Sequence, residues 1–208
     1  MLDHLLCRDY EVSIANHPFL FDETLICSRL LLEHGEWETV ARTVLENSMF
    51  RTRSAATAQT YLRAIRFRLE QVPTDLLRLM NNYDESTARL ALFYIMLQKN
   101  RLLREFMEET VRDLWLEDNN ALPRESAEAF FEDKRAQSAV LKEWSDSTWR
   151  KFWQNTLKAP QEAGLLQGQD PLILTPSDIE PFLRDWLLAR RDGVYLELML
   201  DPEAFAFH

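Results

Sequence analysis

The chain has 208 residues, a formal net charge of -10, 46% hydrophobic residues including 12 Phe and 6 Trp, and only two cysteines. That apolar content fills one large or two small cores and excludes a mainly disordered chain. Cys7 and Cys27 are too few for a disulfide framework or a four-cysteine zinc site, and their apolar neighbours predict packing roles for both.

Asp3, Asp9 and Glu11 interrupt the N-terminal apolar residues, which leaves neither the basic start nor the apolar stretch of a secretory leader. The longest apolar run, residues 90–97, falls far short of the ~18 residues that a bilayer-spanning helix requires. A cytoplasmic protein without membrane contact is therefore expected.

Four glycines in the whole chain, abundant Leu, Ala, Arg and Glu, and apolar positions spaced by three and four predict an all-α fold. Residues 22–34 read as a helix stopped at Gly35, and 36–46 as the next. Ser54 is a suitable N-cap for a long helix running to about residue 71, before Pro73. Ala58, Leu62, Ile65 and Leu69 make its apolar face; Gln59, Arg63, Arg66 and Glu70 lie opposite. A short helix over 74–80 precedes a longer one from Asp84 or Ser86 to about Leu116, whose first half is apolar nearly all round and suits a central position. The acidic cluster at Glu105, Glu108, Glu109 and Asp113 lacks a histidine partner at metal-site spacing and reads as a solvated or partner-facing surface.

Residues 118–125, polar and holding Pro123, read as a linker between an N-terminal helical domain over 1–117 and a C-terminal one over 126–208. Helices near 125–134 and 138–144 and from Thr148 follow, the last meeting the awkward Pro160. Two short apolar pieces around a Gly, Asp and Pro turn predict a small β-hairpin wing near residues 165–175. A helix over 177–191, stopped by Gly193, precedes an apolar tail.

Charge is distributed unevenly along this order. Residues 51–104 carry ten basic and four acidic residues, a local charge of +6 that leaves -16 for the remainder. Helix, short helix, turn and arginine-bearing helix give a helix-turn-helix-like order around Ser54. Gln59 and Arg63 are expected near base edges, with Arg51, Arg53, Arg66 and Arg68 against phosphates. A winged-helix-like order recurs in the second half, where Arg150, Lys151, Gln154, Asn155 and Lys158 gather on one side of the helix from Thr148, and Trp149 and Trp153 flank its core face. For both helices the plainer reading is a solvated polar face.

No other chemistry competes. The histidines at 4, 17, 34 and 208 are scattered, and the sequence has no phosphate-binding glycine loop and no nucleophile elbow. No catalytic residue, metal, cofactor or small-molecule substrate is expected.

The pieces SRLLLEHGEWETVARTVLENSMFRTRSAATAQTYLRAIRFRLE, LLREFMEETVRD and EWSDSTWRKFWQNTLKAPQEAGLL, in this order over about residues 20–175, resemble the BrxA component of BREX, the bacteriophage exclusion systems of bacteria. Pro160 departs from the pattern. The resemblance implies a small, mainly helical, non-catalytic protein encoded beside a methyltransferase, an ATPase and a phosphatase-like component, with likeness to the RNA-binding factor NusB and DNA binding as suggested roles. The expected function is thus a non-catalytic accessory protein binding duplex DNA with low sequence specificity, with other BREX components as further partners. The alternatives are an assembly adaptor and a NusB-like RNA-binding protein.

Overall fold

The computed structural model describes Tyr10 and residues 18–205. Helix α1 (Phe21–His34) is closed by Gly35, whose φ of 75° is easy for glycine and returns its N–H to the Leu31 carbonyl. After α2 (Trp37–Glu46), the Ser54 hydroxyl accepts the Thr57 N–H at 3.2 Å and starts α3 (Ala55–Leu69). Ala58, Leu62, Ile65 and Leu69 are buried, whereas Gln59, Arg63 and Arg66 are exposed, as the spacing predicts. These three helices pack on one another, and α4 (Thr74–Asn82), which begins after Pro73, packs on α1.

Helix α5 (Glu85–Lys99) occupies the centre. All eight residues from Leu90 to Leu97 are buried, so the helix must be covered on every side. α3 and α4 cover part of it, and α10 (Asp146–Glu162) another part. Towards the C-terminus Tyr94 donates its hydroxyl to Asp192 at 2.7 Å, accepts the Gln98 amide, and meets Trp186 and Tyr195 edge-on. Those two rings belong to α11 (Pro181–Ala189) and α12 (Val194–Leu198), the latter formed by the stretch expected as an apolar tail.

The long helix expected to reach Leu116 breaks at Asn100, which takes extended backbone angles (φ -126°, ψ 102°). The Asn100 side chain accepts the Leu103 N–H at 3.1 Å, and Arg104 donates to the Leu97 carbonyl at 2.8 Å. A capping amide and a guanidinium thus satisfy both loose helix ends, and the turn needs neither glycine nor proline. Beyond it lie α6 (Arg101–Phe106), a π-helical turn (Met107–Val111) and α7 (Arg112–Leu116). Much of the acidic cluster is neutralised here: Glu105 binds Arg101 at 2.6 Å and Lys134 at 3.0 Å, and Lys134 also reaches Glu109 at 2.6 Å.

Residues 118–125 are not a free tether. They supply β1 (Ala121–Leu122), which pairs antiparallel with β3 (Leu172–Leu174), while β2 (Leu166–Gln167) pairs with the other edge of β3. The expected hairpin is therefore present with a third strand, in the order β1-β3-β2. Helices α8 (Arg124–Gln137) and α9 (Ala139–Lys142) precede α10, which continues through the buried Pro160 to Glu162. Phe131 stacks on Trp153, and Trp144 meets Phe152 edge-on, so the aromatic residues fill the core beneath α10. Buried side chains form one continuous cluster through both halves of the chain.

Arg68, expected against phosphate, lies inside. It is 3% exposed and donates to the Phe19 carbonyl at 2.6 Å and the Pro18 carbonyl at 2.7 Å. Burial pulls its guanidinium down to about 10 and the Glu162 carboxylate opposes that, so it stays charged at neutral pH. Cys27 is fully buried, its thiol pushed up to about 12 by burial and then by Glu23; Cys7 lies outside the described residues, as do His4, His17 and His208. Among the described residues no helix is long and apolar enough to cross a membrane.

Two stability predictions follow from these contacts. Arg68→Met strips donors from two backbone carbonyls and should cost about 2–4 kcal/mol, read as a lower denaturant midpoint. Asp84 caps α5, and hydrogen bonds from the Ser86 hydroxyl and then the Thr87 N–H and hydroxyl hold its carboxyl well below the ordinary value of 3.8. Asp84→Ala should therefore cost ~1 kcal/mol at neutral pH. Since the folded value is the depressed one, this advantage is full above the ordinary aspartate value and shrinks as the pH falls below it.

Candidate nucleic-acid interface

Most of the residues singled out from the two halves of the chain fall on two helices that flank one cleft, with Arg51 and Arg53 in the loop before the first of them. α3 contributes Ala56, Thr57, Thr60 and Tyr61 to one wall, α10 contributes Lys151, Asn155 and Lys158 to the other, and Pro18 joins them. The cleft is open to solvent and holds about 580 Å³. Its α10 wall follows from helical spacing, since residues at i, i+4 and i+7 share one stripe. Arg150 and Gln154 occupy the neighbouring stripe, exposed and outside the cleft.

On α3 the arginine face lies beside the cleft rather than within it. Arg63 is exposed and places Nη2 3.3 Å from the Thr60 hydroxyl, so its guanidinium sits at the cleft margin. Arg66 points towards α2, where Nη1 is 3.5 Å from Glu38 with the two side chains 50% and 76% exposed. A pair so long and so wet contributes little and leaves Arg66 open to exchange partners. Arg53 and Gln59 border a second hollow with Phe50 and Ser54. Arg51 shares a third with Asp22 and Glu23, whose charges offset its own.

Several other cations are committed. Arg89 pairs with Glu85, Arg135 with Asp146, and Arg184 with both Asp201 and Glu203, each at 2.9 Å or less. Arg51, Arg53, Arg63, Arg150, Lys151 and Lys158 form no ion pair with any described residue, and neither do Arg29, Arg42, Arg78, Lys142 and Arg191, which do not line the cleft. Glu162, one turn past Lys158, is the carboxylate that Lys158 feels; burial pushes its carboxyl up, and Arg89, Lys158 and Arg68 pull it back.

The structure thus brings Lys151, Asn155 and Lys158 to the α3 wall, with Arg63 at its edge. Gln59, Arg66, Arg53 and Arg51 lie on surface that continues outward from α3, and Arg150 and Gln154 on the outer side of α10. Arg68 leaves the set, because its guanidinium is used inside. Sequence reasoning missed Thr57 and Tyr61. They share a stripe with Ala64 and Arg68 at i, i+4, i+7 and i+11, a pattern that marks all four as flanking the core. No three His, Cys, Asp or Glu side chains among the described residues come together as a metal site.

Comparison with known proteins gives the family and the fold. The family profile described as BrxA matches residues 8–191. A relative from Bacillus cereus (strain H3081.97) named BREX protein BrxA is 26% identical over 200 residues, covering 92% of this chain and 96% of its own. BREX protein BrxA of Escherichia coli O9:H4 (strain HS) is 26% identical over 147 residues, 71% of this chain and 69% of its own. The crystal structure of an uncharacterized protein from Magnetospirillum magneticum superposes with a TM-score of 0.73 at 22% identity, covering 91% of this chain and 97% of that one, and shares the fold. The chain belongs to the BrxA family of BREX phage-defence systems.

Proposed function

We propose that this chain is a non-catalytic, DNA-binding accessory protein of its BREX system, working in the cytoplasm and holding duplex DNA with low sequence specificity. The observation that carries this reading is that two unpaired lysines of α10, Lys151 and Lys158, line one cleft with α3, and that Arg63 of α3 reaches the Thr60 hydroxyl on the same wall, in a protein whose net charge is -10. Cations without carboxylate partners exchange counterions for phosphates at little cost, and that exchange supplies most non-specific affinity. Arg51, Arg53, Arg63, Arg66, Arg150, Lys151 and Lys158 supply the phosphate contacts in this account, roughly three to five of them engaged at one time, with Gln59, Gln154 and Asn155 near base edges. Arginine outweighs amide on the surface, hence the low specificity.

The helix-turn-helix element of this reading is α1, α2 and α3, with α3 entering a major groove; α8, α9 and α10 with the β2–β3 wing form the second. A second reading, docking to another BREX component, is favoured by one observation: Phe182, Leu188 and Val194 on α11 and α12 are 52%, 52% and 44% exposed. The two readings are compatible, since they use different surfaces.

A salt titration of binding to an unrelated duplex, with RNA alongside, tests the proposal. The log-log slope should be about -3 to -5, as for three to five phosphates neutralised at about 0.9 each. A preference for RNA at equal salt would favour the NusB-like alternative, and no binding at low salt would contradict the nucleic-acid reading altogether. Arg63→Glu with Arg66→Glu, both exposed, should abolish retention on DNA without moving the thermal midpoint. Undiminished binding by the folded double variant would remove α3 from the interface.

A further inference from the structure

We propose that the cleft between α3 and α10 takes a single, unpaired strand of nucleic acid, so that the protein engages a duplex where one strand leaves the helix. This rests on the nucleic-acid reading above and adds to it a role for Tyr61, which that reading does not use.

Size is the first argument. The cleft is open to solvent and holds about 580 Å³, room for a ligand of roughly nucleotide size.

Chemistry is the second. Lys151 and Lys158 stand seven residues apart on one stripe of α10, about 10 Å along the axis at 1.5 Å per residue. Roughly three nucleotides of a strand span that distance at the ~3.4 Å rise of stacked bases. Neither ammonium is ion-paired with a described residue, and no carboxylate lines the cleft among them. Across from them stands Tyr61, half-buried, one side packed on the core and part of its surface lining the cleft. An aromatic ring beside two lysines is an arrangement that binds unpaired strands: phosphates follow the charges and a base stacks on the ring. Paired bases inside a duplex offer no free face for that contact.

Arg68 acts behind the cleft as a positioning residue. Its bonds to the Pro18 and Phe19 carbonyls fix Pro18 at the cleft, and it lies on the same α3 stripe as Tyr61. The wall that carries the ring is therefore held from within.

The test compares fluorescence anisotropy of a blunt duplex with that of the same duplex carrying a short single-stranded extension, in deoxyribose and ribose forms, using the full chain. The extension should tighten binding about tenfold, the effect of one stacked base. Tyr61→Leu, which keeps an apolar side chain against the core, should erase that gain and leave blunt-duplex affinity unchanged; Tyr61→Phe should retain it. Lys151→Glu with Lys158→Glu, both exposed, should erase the gain and weaken blunt-duplex binding as well. The deoxyribose and ribose arms show which strand chemistry the cleft accepts. Equal affinity for blunt and extended duplex would overturn the cleft proposal while leaving duplex binding in place. Failure of every probe to bind would overturn both it and the reading on which it rests.

Discussion

The burial of α5 is the constraint from which the rest of the arrangement follows. A helix apolar around its whole circumference has no face that water tolerates, so neighbours must be recruited on all sides. Those neighbours come from segments far apart in sequence: α3 and α4 from before it, α10 from after it, and α11 and α12 at the Tyr94 end. Because α3 and α10 are both fixed to α5, their polar sides face outward next to each other, and a cleft forms between them. Removing a leucine such as Leu92 or Leu97 to alanine would loosen that shared support at a cost of about 2–5 kcal/mol.

Desolvation then sorts the arginines. Arg68 is charged yet enclosed, and it is tolerated because two backbone carbonyls replace the water it has lost. Its role is to tie the segment before α1 to α3. Arg63 and Arg66, three residues apart on the helix surface, stay hydrated and available. The same division holds on the other wall: Trp149, Phe152 and Thr156 of α10 go into the core, and Lys151 and Lys158 remain in water. One helix thus serves as structural support on one side and as a charged surface on the other, which lets a protein of -10 net charge present a local cationic region without rearranging its core.

Much of this was legible in the sequence, for identifiable reasons. Gly35 and Ser54 are strong terminal signals, and α1 and α3 end or begin within a residue of the expected positions. The all-apolar run at 90–97 announced the central helix, and the Gly, Asp and Pro turn announced the β2–β3 hairpin. The turn at Asn100 was not legible, because its cap depends on Arg104 closing back on the Leu97 carbonyl, a contact that periodicity does not register. Strand β1 is only two residues long and exists through pairing with β3 some fifty residues later, so no local pattern marks it. For the site, the exposed arginines of α3 and the polar stripe of α10 were readable from spacing. That the two adjoin was not, since it is set by the tertiary cover of α5. The misplacement of Arg68 came from reading charge before stripe: its spacing from Tyr61 and Ala64 puts it beside the core whatever its charge.

Amide hydrogen exchange with and without bound duplex DNA tests the central claim, that α3 and α10 form one nucleic-acid surface, most directly. Exchange should slow on DNA binding at the N-terminal half of α3 with its preceding loop and along α10, in the same experiment and to similar extent, with α11 and α12 unchanged. Protection confined to α11 and α12, or to one of the two helices alone, would contradict it.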